Sequence, residues 1–289
     1  MPRALKVFGW FAAALVTCAV LLLVAFLVLR GGRALSPELI FGDTPWLDAV
    51  SGQKPVFDGL WPAIVGTLAL VGLSAVIALP LGILSGVWLS EFGRGRVGRL
   101  VSTSVDLLAG IPSIVMGLFG FGLILALRRS FAPDANTGLI LSAGCIALLV
   151  LPYLIRTTEV SLEGLPETLR LLGPSLGMSS WKSTWHILLP AASRGILSGA
   201  ILAVGRAAED TAVILLTGAV ASGGIPRHLT DHFEALPYKI YYLSANHRNA
   251  SELDLAFGAA LMLLCLTGSL FLLAAWLQRS LEKRWAAER

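Results

Sequence analysis

Six stretches of this chain, 8–29, 61–89, 101–127, 137–155, 195–221 and 255–277, are apolar throughout or nearly so. Each is about 20 residues long, the length a helix needs to cross a bilayer. Only 14% of the residues are charged and 56% are hydrophobic, whereas soluble domains carry about 25% charged residues. The expected fold is therefore an all-α polytopic membrane protein with six transmembrane helices. Its 289 residues leave no room for a separate soluble enzyme. The net charge of +4 comes from basic residues scattered among short loops, so it reflects membrane topology and not a nucleic-acid surface.

The first run follows Arg3 and Lys6. It is too long for a cleaved signal peptide and no small-residue cleavage site follows, so it reads as a retained anchor. The polar stretch after it is broken by Pro37, Pro45 and Pro55, as in irregular connections. Residues 1–60 thus form an anchor helix with a polar extension, and 61–289 the transmembrane domain. Pro80 and Gly82 should kink the second span, and Gly110 and Pro112 loosen the third. A second polar stretch, 222–254, holds two prolines and four aromatics. With the N-terminus inside, 13 Lys and Arg lie on the inner side and eight on the outer. That bias places both termini and the loop at about 156–194 in the cytoplasm. Cys18, Cys145 and Cys265 each lie in an apolar run without metal-ligand spacing, as packing residues would.

The segment from 164 to 220 has two unlike halves. The first is polar and turn-rich. Gly177 permits a turn between two short helices, and Pro190 is expected to end the second. Trp181, Ile187 and Leu188 offer an apolar face to a partner's groove, with Lys182 and His186 at its rim. A solvated loop is the alternative, but helical spacing within so long a connection favours docking. The second half is an apolar helix carrying Arg206, Glu209 and Asp210. Each such charge costs about 2.5–3.5 kcal/mol near the bilayer centre. Spaced i, i+3 and i+4 they share a face, on which Arg206 and Asp210 are expected to pair, with Thr211 and Thr217 nearby. Gly195, Gly199 and Ala203 form a ridge that another helix can approach closely. The charged face is expected to line an interhelical cavity; a purely structural ion pair is the competing reading. Asp106 reads equally as a capping or helix-pairing group and as a path residue. His186, His228, His232 and His247 lack the neighbours of a metal site.

Gly177, nine intervening residues and then Ile187-Leu188-Leu189-Pro190 resemble the cytoplasmic signature of ABC-importer permeases. Leu171-Leu172-Gly173 stand where that signature has Glu-Ala-Ala. Arg206-Ala207-Ala208-Glu209-Asp210-Thr211-Ala212 is similar to the Arg-Ala-x-Gly-Glu-Thr-Ala pattern of PstA-type phosphate permeases, with one carboxylate added. Leu-Pro-Ala-Ala at 189–192, the stretch 195–199, the stretch 108–113 with Gly117-Leu118-Phe119-Gly120, and Leu236-Pro237-Tyr238-Lys239-Ile240-Tyr241 look like the same family. The resemblance implies a MetI-like permease subunit of an ATP-driven importer of inorganic phosphate in a bacterial inner membrane. It implies as partners an ABC ATPase homodimer, a second related permease and a periplasmic substrate-binding protein. Arg206, Glu209, Asp210 and Thr211 would line the substrate path. Gly177, Met178, Trp181, Lys182, His186, Ile187, Leu189 and Pro190 would couple to the ATPase. No metal or cofactor is implied, and without a Walker-type phosphate loop the chain leaves ATP hydrolysis to its partner. Molybdate, tungstate or sulfate is the alternative substrate class. A proton-coupled secondary transporter with Glu209 and Asp210 as relay would need no docking loop. A membrane scaffold would not explain Arg206.

Overall fold

The computed structural model describes residues 3–130 and 132–287. In chain order the helices are α1 (Arg3–Ala34), α2 (Pro37–Phe41), α3 (Trp46–Val50), α4 (Trp61–Glu91), α5 (Gly95–Ala109), α6 (Ser113–Ser130) and α7 (Leu139–Glu163). They continue as α8 (Glu167–Ser175), α9 (Ser180–Ser183), a π turn (Thr184–Leu188), α10 (Leu189–Glu209), α11 (Ala212–Thr217), α12 (Leu236–Asn246) and α13 (Ala250–Ala287). Among the described residues six stretches are long and apolar enough to cross a membrane: Leu5–Ala34, Trp61–Glu91, Ser113–Ser130, Leu139–Glu163, Ser180–Glu209 and Ala250–Ser280.

Several boundaries differ from the expectation. The run 101–127 is not one span. Its helix breaks at Gly110-Ile111-Pro112, where Pro112 has no N–H to donate. The Pro112 carbonyl instead accepts from Val115 and Met116 at 3.0 and 3.2 Å, which starts α6. The fifth span begins earlier than expected, because Pro190 does not end a helix. It sits in the first turn of α10, and the π turn before it keeps the helical path continuous from Ser180. A π turn redistributes backbone bonds where a proline removes one. The same span stops at Glu209, not near residue 221.

Glycines decide which helices meet. A Cβ on Gly82 of α4 would lie 2.6 Å from the Leu154 Cβ of α7. One on Gly86 would lie 2.6 Å from the Thr158 Cβ and 2.7 Å from the Ile155 carbonyl oxygen. Also on α7, Gly195 and Gly199 of α10 face Ser161 and Thr157 at 2.3 and 2.2 Å on the same measure. The small-residue ridge of α10 therefore packs on α7 beside α4, which α10 also meets. Leu70, Ala78, Ile146, Val150, Leu154, Ala203 and Ile214 are among the residues filling the core between them.

At the end of the bundle away from α8, the chain folds back as a plug. Phe233 and Leu236 are fully buried, and the Leu236 N–H donates to the Thr67 hydroxyl of α4 at 2.9 Å. Glu234, also buried, accepts from Lys239 Nζ at 2.9 Å and from the Gly224 N–H at 3.0 Å. α1 lies against α13, with Gly31 pressed to the Phe257 backbone. Its other faces are apolar and unpacked, as suits a helix surrounded by lipid.

Gly86→Val should lower thermal stability in detergent by about 1–3 kcal/mol, the usual range for overpacking, because a backbone carbonyl faces the new side chain. Gly72→Ala, on the same helix with open space beside it, should be neutral or stabilising. Equal melting temperatures for the two variants would remove the close approach as the cause.

Candidate functional site

The expected cavity exists and two of the expected charges line it. A cavity of about 650 Å³ lies between the α5–α6 break, α7, α10 and α13. Arg206 and Glu209 on α10 face it, together with Tyr153 and Arg156 of α7 and Phe271 of α13. Gly205 makes room for the Phe271 ring that closes one wall. Both charged α10 side chains are exposed to this space. Among the described residues no carboxylate lies within ion-pair distance of Arg206.

The pairing of Arg206 with Asp210 is not what the chain does. α10 ends at Glu209, and Asp210 has extended backbone at φ −73°, ψ 120°. Its side chain is buried, and Oδ1 accepts from the Val213 N–H at 2.9 Å. Asp210 is thus the cap of α11, satisfying an N–H that the broken helix would leave orphaned. Thr211 is half-buried at the same break and its carbonyl accepts from Leu215. Neither residue lines the cavity.

A second arginine, unassigned by spacing alone, does line it. Arg156 was expected at the edge of a loop, but α7 continues to Glu163. Its Nε and Nη2 donate to Asp106 Oδ1 at 3.0 and 2.6 Å, and Nη1 donates to Glu159 Oε2 at 2.6 Å. Nη2 also reaches the Ser102 carbonyl and hydroxyl at 2.9 and 2.8 Å. Asp106 is therefore a helix-pairing group, tying α5 to α7. The signal for this was the i, i+3 pair Arg156–Glu159 at the end of an apolar run.

The second functional region is the segment between α7 and α10. Gly177 turns the chain at φ +70°, a conformation side chains rarely adopt. The Met178 N–H closes the turn onto the Gly173 carbonyl at 3.0 Å, and the Ser179 hydroxyl caps α9. Around the turn, Leu171, Leu172, Leu176 and Trp181 expose 57, 46, 69 and 59% of their surface. Lys182 and His186 are exposed beside them, and Met178 is half-buried. Ile187, Leu188 and Leu189 do not join that face. They pack inward against Val87, Leu162 and Ala192, since α10 carries their stripe into the core. Pro190 is half-buried with them. The exposed apolar face is thus built around Trp181 and the three leucines. Trp181 packs against Phe92 and Trp185 in tilted contacts, with ring centroids 6.1 and 5.5 Å away.

At the opposite end, a loop beside Asn136 and His232 is held by Asp231, whose carboxylate accepts from the His228 and Arg227 N–H groups at 2.8 and 3.1 Å. Those bonds, the one from His228 foremost, hold its carboxyl below the usual carboxylate range. Among the described residues no three His, Cys, Asp or Glu are grouped to hold a metal.

Comparison with known proteins places this architecture. Residues 78–287 match the model of the binding-protein-dependent transport system inner membrane component. The phosphate transport system permease protein PstA 1 of Mycobacterium tuberculosis (strain CDC 1551 / Oshkosh) is 34% identical over 81% of this chain and 75% of its own length. PstA of Haemophilus influenzae is 33% identical over 76% of this chain and 73% of its own. Among solved structures, a chain of a bacterial alginate ABC transporter in complex with an alginate-bound periplasmic protein aligns over 96% of this chain and 97% of that one. It does so with a TM-score of 0.65 at 15% identity. A chain of the inward-facing MetNI methionine ABC transporter aligns over 75% and 94%, with a TM-score of 0.61 at 17% identity. The chain is therefore a multi-pass membrane permease component and belongs to the binding-protein-dependent transport system inner membrane components, alongside their PstA members.

Proposed function

We propose that the chain is the permease subunit of an ATP-driven importer of inorganic phosphate. The observation that carries this is Arg206, a cation without an ionic partner among the described residues, facing a cavity between membrane-spanning helices. A guanidinium that faces an interhelical cavity with no carboxylate to satisfy it is an anion site in waiting. The relatives named as phosphate permeases make phosphate the favoured anion. Glu209 beside it disfavours a second anion and helps release the first. Arg156 is already engaged by two carboxylates and holds α5 to α7. A second permease completes the path, a periplasmic binding protein delivers the anion, and an ABC ATPase homodimer docks on the face around Trp181. Inward-packed Ile187, Leu189 and Pro190 fix that face to α10, so they support docking without touching the partner. Both termini and the docking segment lie in the cytoplasm.

Arg206→Gln should lower phosphate uptake per assembled complex roughly tenfold or more, since a charged hydrogen bond contributes about 1.5–3 kcal/mol. Arg206→Lys should retain part, the charge surviving without the fork. Asp210→Asn should transport well, because its Oδ1 still accepts from Val213; Asp210→Ala should cost about 1 kcal/mol of stability. Loss of uptake in an assembled Asp210→Asn complex would favour a proton relay instead.

Gly177→Asp, strained at its positive φ, should leave the chain in the membrane but release the ATPase on copurification. Full ATPase recovery together with normal uptake would sink the docking face.

Cysteines placed at Ser51 and Ser244 should react with an impermeant reagent on intact cells, and one at Ser179 only after permeabilisation. The reverse labelling pattern would invert the topology.

A further inference from the structure

α8 and α9 form one unit: a Cβ on Gly173 of α8 would sit 2.1 Å from the Ser183 hydroxyl, and α8 packs chiefly on α9 and the π turn. This unit runs directly into α10 along the helical path from Ser180, and it is held to α4 and α7 by side chains that bridge between them. Arg170 is one such side chain. Its Nη1 donates to Glu91 Oε1 and Oε2 at 2.9 and 3.0 Å, and its Nη2 donates to the Leu162 carbonyl at 2.8 Å. Glu91 is the last residue of α4, and Leu162 lies in the last turn of α7. One guanidinium therefore joins the docking segment to the ends of two core helices.

Two features set this contact apart from an ordinary surface pair. Glu91 is largely buried and also accepts from the Ser90 hydroxyl at 3.0 Å, so the geometry is fixed. A carboxylate at a helix C-terminus also opposes the helix dipole. Glu91 occupies that unfavourable place on α4 because Arg170 faces it, and the same guanidinium satisfies a C-terminal carbonyl of α7 as a cation should. A planar fork can hold both helices at once, which a point-charge ammonium does less well. Next in sequence, Phe92 contacts Trp181 of α9, so the end of α4 grips both docking helices.

We infer that Arg170 is a positioning residue for transport: through Glu91 and Leu162 it passes movement of the docking segment to α4 and α7. The inference rests on the reading that an ATPase docks around Trp181. The test uses the complete complex with its ATPase, second permease and binding protein, and inorganic phosphate as substrate. Arg170→Gln and Glu91→Gln should keep the ATPase subunits in normal ratio and keep basal hydrolysis. Each should lose roughly tenfold in uptake per complex, the scale of one charge-assisted contact, with a matching loss in stimulation of hydrolysis by phosphate-loaded binding protein. Arg170→Glu combined with Glu91→Arg should recover uptake above either single variant. Normal uptake per surviving complex in both Gln variants, whatever the yield, would make the contact merely structural and overturn the inference. So would a swapped pair no better than the singles, or loss of the ATPase from both Gln variants while Gly177→Asp also releases it. If Gly177→Asp and Trp181→Glu leave ATPase binding untouched, the docking face fails instead, and the inference falls with it.

Discussion

The close approach of α7 to both α4 and α10 is the contact on which the other parts depend. Lipid tails are as apolar as leucine, so helices in a bilayer gain little by hiding apolar surface from one another. They gain by approaching closely, and here glycine provides the approach in both contacts: Gly82 and Gly86 from α4, Gly195 and Gly199 from α10. The hydroxyl side chains facing the α10 glycines, Thr157 and Ser161, turn their own protons back to the α7 backbone. Arg206 lies two turns beyond Gly199 on the helix this contact fixes, and Arg156 lies on α7 within the contact itself. The cavity between the two arginines takes its shape from that seam.

The two arginines then differ in circumstance and not in kind. Arg156 has carboxylates on two sides and a serine beside it, so its charge is spent within the protein. Arg206 faces the same space without an ionic partner among the described residues. A cation already neutralised holds helices together; a cation left open attracts a counter-ion that is not part of the chain. Side by side in one cavity, one arginine is neutralised within the protein and the other is open to the space.

Much of this was legible in the sequence, and what was not has definite physical causes. Long apolar runs announced six spans because bilayer thickness leaves them few alternatives, and Gly195–Gly199–Ala203 announced a helix seam because small residues four apart have one common use in membranes. The break at Asp210 was hidden: Ala-Val-Ile-Leu-Leu continues the apolar run, and only the capping bond from the Val213 N–H to the Asp210 carboxylate reveals a new helix start. Asp106 and Arg156 stand 50 residues apart, and nothing local joins them. Pro190 misled in the opposite way. A proline inside a helix normally ends it, but a single π turn upstream absorbed the missing bond. Ile187 and Leu188 were read as a partner's surface because they sit in a docking motif, whereas the stripe Leu188, Ala192 and Ile196 turns them into the core.

That π turn also has a consequence for phase. One extra residue in a helix of 3.6 per turn rotates everything beyond it by about 100° relative to what came before. Upstream stand Trp181 and Lys182, which look outward from the bundle; downstream stand Gly195 and Gly199, which look toward α7. A regular helix of the same sequence would set one of these two faces roughly a quarter-turn off its target. The chain thus carries an angular offset in its backbone at residues 184–188, and insertions or deletions of one residue between Ser180 and Gly195 change which way the protein faces its neighbours without altering a single side chain on either surface.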